Sequence, residues 1–337
     1  MKLAASYFGN RILRHVRDDM EQLHARGFTR VVHTFSENDL AFYRGTMRDI
    51  VRVSQECGLE VLLDPWGVAR VFGGEAYSGW LLENPDLFQR GASGRLLGGA
   101  CLNHPALRPR LYEWIEAAAE TDAGWIFWDE PHWVPRGPRN PDGETCVCAH
   151  CKRRMAELIP GTDPPMTDTA VMARMRGQAV VDLLADLTRH AAGLGLRSSL
   201  CALPQGLLDQ PPVEWDRLLA AAQVHEFGTD PYWQAFGVND PRERRRFIDE
   251  HAGAAVSACR RAGIASMLWI QAFRITGDRE QDLLAGTREL LRHAPGTVAL
   301  WGYEACAHMS ALACQRPAEV WNALIEVIRS GGVDGSP

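Results

Sequence analysis

Short apolar runs rich in β-branched and aromatic residues alternate along this chain with longer amphipathic stretches, many of them stopped by glycine. Leu3 to Phe8 reads as a strand, and Ile12 to Arg26 as the helix after it, ended by Gly27. Arg30 to Phe35 is the second strand, and its helix, Leu40 to Cys57, stops before Gly58. Leu59 to Leu63 is the third strand. A long excursion then leads to a helix at Arg110 to Glu120 and to the fourth strand, Trp125 to Trp128. Strands five to eight are expected at Ser198–Ala202, Val224–Phe227, Ser266–Ile270 and Val298–Trp301. The intervening helices are Val171–Ala192, Trp215–Ala222, Arg245–Arg261 and Gln281–Arg292, with Pro317–Arg329 closing the series.

Eight strands each followed by a helix imply a parallel sheet, because parallel neighbours need a crossover. The simplest closure is an α/β fold, a (β/α)8 TIM barrel, with a cysteine-bearing excursion after strand four. No G-x-G-x-x-G follows the first strand, which argues against a doubly wound dinucleotide-binding sheet. The 337 residues, 46% of them hydrophobic, suit one barrel domain over 1–330 with a disordered tail at 331–337.

The net charge of −6 argues against a nucleic-acid or anionic-membrane surface. Arg242, Arg244, Arg245 and Arg246 read as a solvated helix start rather than a phosphate site. No apolar segment precedes Arg11 to suggest a secretory signal, and none approaches the ~20 residues that span a bilayer. A cytoplasmic setting follows as the expectation, with cysteines as thiols or metal ligands.

Barrels of this kind place their active sites at the C-terminal ends of the strands. Those ends carry Glu37 and Asp39 after strand two, Asp64 and Trp66 after strand three, and Asp129, Glu130, His132 and Trp133 after strand four. Asp230, Tyr232 and Trp233 follow strand six; Trp269 and Gln271 end strand seven; Trp301, Tyr303 and Glu304 end strand eight. One such acid alone reads as a helix N-cap. Carboxylates at five of eight strand ends, mostly beside aromatics, match what a sugar needs: hydroxyl partners, acid/base groups and a flat apolar face. A carbohydrate is therefore the expected substrate.

Glycosidic cleavage ordinarily uses two carboxyl groups. Glu130 is the leading acid, with Trp128, Pro131 and Trp133 as an apolar setting that would keep it protonated. Its partner ranks as Asp230 first and Glu304 second, with Asp129 plus Asp230 as a third pairing. Strand pleating should turn Asp129 away from Glu130 unless the strand has already ended.

These residues resemble the large clan of barrel glycosidases with an acid/base Glu at the end of strand four. The clan has Asn before that Glu, whereas this chain has Asp129. The clan's nucleophilic Glu at the end of strand seven is replaced here by Gln271, which cannot form a glycosyl ester. A narrower likeness, over roughly residues 100 to 155, is to the zinc-containing family 42 β-galactosidases, which carry one early Cys and a C-x-C-x-x-C group after the strand-four acid. Cys146, Cys148 and Cys151 are the local metal signal. The resemblance supplies Cys101 as fourth ligand of a structural zinc, with His104 or His150 as substitutes. Specificity for galactose does not carry over, and homo-oligomerisation is left open.

Two other functions share the fold. A metal-dependent sugar isomerase would draw on Glu130, His132, Asp230 and Glu304, but strand five ends without an ionisable ligand. A non-catalytic sugar-binding barrel is the reading that Gln271 keeps open.

Overall fold

The computed structural model describes residues 1–331 apart from 9, 75, 138, 139, 142, 144, 159–168, 209 and 212. Residues 332–337 of the expected tail thus lie outside the described residues. Eight parallel strands close a barrel: β1 (Lys2–Tyr7), β2 (Arg30–Thr34), β3 (Glu60–Asp64), β4 (Trp125–Asp129), β5 (Arg197–Ala202), β6 (Glu226–Thr229), β7 (Ala265–Gln271) and β8 (Thr297–Trp301). Each pairs with its sequence neighbours, and β8 closes on β1 through Ala4 opposite Ala299. The (β/α)8 expectation holds. The excursion before β4 adds an antiparallel hairpin of Phe88–Arg90 and Leu96–Ala100.

Pleating divides each strand between two apolar bodies. Ala4, Val32, Leu62, Phe127, Met267, Trp269 and Ala299 fill the barrel interior. Their neighbours Ile126, Trp128, Leu268 and Val298 face the helices. The lower interior is ionic: Arg30 Nη1 donates to both Glu226 oxygens at 2.7 Å, and Nε lies 2.7 Å from Glu60 Oε2. Ser199 and Thr297 donate to the same Glu226 carboxylate. Arg30→Met would leave a buried carboxylate unpaired, so a loss of about 3–5 kcal/mol in urea unfolding is expected. No loss would show that this layer carries no weight.

The helices depart from expectation where capping decides their starts. The helix read as Leu40–Cys57 is two, Glu37–Phe42 and Arg44–Glu56, because Ser36 and Asp39 form a capping box one turn earlier. The helix read from Arg245 begins at Pro241, where the Asp240 side chain accepts from the backbone N–H groups of Arg242 and Glu243. Within it Arg244 is not solvated: it is buried against Asp282 and Glu289. Among the described residues no helix is long and apolar enough to cross a membrane.

Candidate active site

The interior phase of three strands delivers Asp64, Asp129 and Asp230 to the barrel mouth, each more than nine-tenths buried. Glu130 should point away from Asp129 by pleat, but its φ of 40° breaks the alternation immediately after β4. The two acids therefore act on one locus: both raise the pKa of Asp64, and both act on Asp230. That corrects the expectation of opposed side chains. Glu130 N–H still donates to the Cys201 carbonyl at 3.0 Å, which holds the turn to β5.

Gly73 packs on this turn. Its N–H donates to the Asp129 carbonyl at 2.8 Å, and a Cβ there would fall 2.3 Å from Asp129 Oδ2. Gly73→Ala is expected to displace the carboxylate while leaving the barrel folded, which a crystal structure of the variant would show directly.

Glu130 and Asp230 share a side-chain hydrogen bond. Burial raises the Asp230 pKa, the bond from Glu130 offsets part of the rise, the Asp129 charge adds to it, and the result is about 7. Burial, then the charges of Asp129 and Glu130, hold Asp64 well above the usual carboxylate range. Cys201 lies beneath, with Sγ 3.7 Å from Asp230 Oδ1, and burial keeps it a thiol.

An acid with a raised folded-state pKa binds its proton more tightly folded than unfolded. Its stabilising contribution is complete below about pH 4 and is lost as pH rises through about 7. Asp230→Asn should therefore flatten the fall in stability across that window, gaining about 4 kcal/mol above it. Chemical unfolding at pH 4 and pH 8 checks this, and equal pH dependence in wild type and variant would contradict it.

Aromatic rings wall the mouth in a continuous chain. Trp66 meets Phe8 at 5.6 Å, Phe8 meets Trp301 at 4.6 Å, Trp301 meets Phe273 at 5.0 Å, and Phe273 meets Tyr232 at 5.4 Å. Trp269 lies deeper, against Phe127. Asp64 Oδ1 and the indole N–H groups of Trp66 and Trp269 are buried without a partner in the protein.

Several other sequence candidates have structural work instead. Glu37 accepts from Ala69 N–H, Ser78 Oγ and Trp80 N–H, clamping the loop after β3. Asp39 holds Arg11 through two bonds of 2.7 and 2.8 Å. Trp133 donates to the Arg176 carbonyl and Trp233 to Asp282, both fully buried among the helices. Trp128 donates to Ser198 there too, so neither Trp128 nor Trp133 lines the Glu130 carboxyl. Gln271 accepts from Ala235 N–H and donates to the Phe273 carbonyl, so its amide braces two loops. Glu304 pairs with His308 at 3.1 Å, and Tyr303 donates to Asp19 beside Tyr7; the structure does not bring Glu304 into the carboxylate group. His132 Nδ1 donates to the Glu130 carbonyl at 2.6 Å.

Phe8, Phe273, Gly73 and Cys201 were missed as site residues. The aromatics and the thiol all sit at strand ends, which was the available signal. The Gly73 approach arises from a loop fold that no local pattern encodes.

Beside the mouth, Cys101, Cys146, Cys148 and Cys151 are buried free thiols whose sulfurs all lie within 4.8 Å of one another. Cys101 Sγ is 3.5 Å from that of Cys148 and 3.4 Å from that of Cys151. A tetrahedral zinc with ~2.3 Å bonds to sulfur sets such edges near 3.8 Å, so the donor set fits. Neither His104 nor His150 belongs to the group, and Cys101 is the fourth member. Arg90 N–H donates to Cys146 Sγ, which ties the hairpin to the segment leading into helix Ala149–Leu158.

No protein-family model matches the chain, and no curated protein matches it. Solved structures do. The chain is similar to the catalytic domain of a β-amylase from Paenibacillus polymyxa, with TM-score 0.69 and 11% identity over 98% of each chain. It is also similar to a β-galactosidase from the psychrophilic Marinomonas ef1, with TM-score 0.65 and 12% identity over 99% of this chain and 61% of that one. An endo-1,4-β-mannanase from Rhizomucor miehei follows at TM-score 0.64 and 10% identity, covering 98% and 94%. At these identities the likeness is one of fold.

Proposed function

We propose that residues 1–330 form one catalytic barrel that hydrolyses glycosides, with Glu130 as acid/base and Asp230 as nucleophile. The reading is carried by the side-chain hydrogen bond between Glu130 and Asp230 beneath a wall of aromatic rings, with burial pushing Asp230 up to about 7. A protonated carboxyl beside an ionised one is the state in which one group protonates the leaving oxygen while the other attacks the anomeric carbon. A hydrogen-bonded pair leaves no gap for the attacking water that inverting enzymes admit between carboxyls about 6.5–9.5 Å apart, which favours retention. Asp129 and Asp64 remain candidates for substrate hydroxyls, and the unpartnered Asp64 oxygen and indole N–H groups suit a polyhydroxylated ligand. The resemblance to β-amylase, β-galactosidase and mannanase folds supports the same class.

The four thiolates are read as a structural zinc site, closed because no coordination position remains. The isomerase is less favoured: among the described residues only the cysteines place three or more candidate ligand atoms together. The sugar-binding reading loses its motive, since Gln271 serves the backbone and the carboxyl pair lies elsewhere.

A panel of aryl glycosides and β-linked oligosaccharides, followed by NMR of the first anomer released, tests the proposal. Hydrolysis with retention is expected. Release of the inverted anomer would remove Asp230 as nucleophile, and no turnover of any member would remove the hydrolase reading.

A further inference from the structure

A cavity of 360 Å³ opens between the loop after β3, the hairpin and the segment after β4. Its polar side chains are Arg70, His132 and Arg136; Gly98, Val134 and Pro135 supply apolar wall, and no carboxylate lines it among the described residues. In a chain with net charge −6, a cavity lined by two arginines points to an anionic occupant. The Arg70 backbone is in the left-handed region with φ 52°, and its Nη1 donates to the carbonyls of Gly74 and Ala76 at 3.1 and 2.8 Å. The guanidinium is thereby fixed before any ligand arrives. Arg136 lies along Gly143, where a Cβ would come within 3.0 Å of its side chain. It is exposed on one side, with no carboxylate partner among the described residues.

His132 connects the cavity to the reaction centre, since its Nδ1 donates to the Glu130 carbonyl. Nε2 remains as the ring's acceptor for a hydroxyl. A ligand filling the cavity would touch the residue two positions from the acid.

We infer that this cavity is a subsite for an anionic sugar unit, so the glycoside acted on carries a carboxylate or sulfate beside the bond that is broken. A guanidinium recognises either group through paired N–H donors. The inference rests on the glycosidase reading for its place in a substrate, but the binding itself can be measured without turnover.

Binding of galacturonate, galactose 6-sulfate and galactose to the wild-type protein and to Arg136→Gln, by calorimetry at low and high salt, tests it. At least one anionic sugar should bind roughly tenfold or more tightly than galactose at low salt. High salt and Arg136→Gln should each erase most of that preference while the melting temperature stays unchanged. Preference for galacturonate alone assigns a carboxylate, and for the sulfate alone a sulfate ester. Equal affinity for all three, or a preference that survives Arg136→Gln, would overturn the subsite. Anionic preference in a protein that hydrolyses no glycoside would leave the subsite standing and remove the hydrolase.

Discussion

Glu130→Gln is expected to lower kcat/KM for a glycoside with an alkoxide leaving group by roughly 10²–10⁴-fold. The amide keeps the size and the hydrogen bond to Asp230 but has no proton to give. A dinitrophenyl glycoside, whose leaving group departs unprotonated, should lose far less in glycosylation. The contrast between the two substrates separates acid catalysis from simple damage to the site. In the wild type the acid limb of the pH–rate profile should lie near 7, where Asp230 ionises and becomes nucleophilic. Uniform loss across both leaving groups would assign Glu130 to binding rather than proton transfer.

The second large effect concerns the cysteines. Four buried sulfurs within 4.8 Å of one another hold the hairpin to the segment after β4, which also carries His132 and part of the wall of the arginine-lined cavity. Elemental analysis should find one zinc per chain. Cys148→Ser, or prolonged chelation, should lower the melting temperature on the order of 10 °C, because metal binding to a closed thiolate site is folding free energy. Absence of zinc from the wild-type protein, with stability unchanged in Cys148→Ser, would show that the sulfurs pack without an ion.

The barrel was legible because its signal is repeated. Each of the eight units carries the same period change from strand to helix, so errors of a few residues at one end did not alter the architecture. The strand-end rule likewise located Asp64, Asp129, Glu130 and Asp230. What it could not do was distinguish carboxylates that face the mouth from those that hold the loops around it. Glu37 and Asp39 sit at a strand end as well as Asp64 does, yet loop backbone and Arg11 surround them. The orientation of Glu130 was equally hidden, since it depends on one left-handed φ that pleating alone would not allow. Trp133 and Trp233 looked like mouth aromatics by position, but both lie beyond the strand ends and turn into the helix layer. Phe8 and Phe273 take their place in the wall, each in ring contact with Trp301.

The central claim is that Asp230 attacks the sugar while Glu130 manages the proton. Asp230→Gly assayed on an activated aryl glycoside, with and without added azide, tests it most directly. The expected result is an inactive variant that azide revives, giving a glycosyl azide of the configuration opposite to the substrate, because the small anion enters from the face the carboxylate vacated. Undiminished hydrolysis by Asp230→Gly without azide would contradict the account.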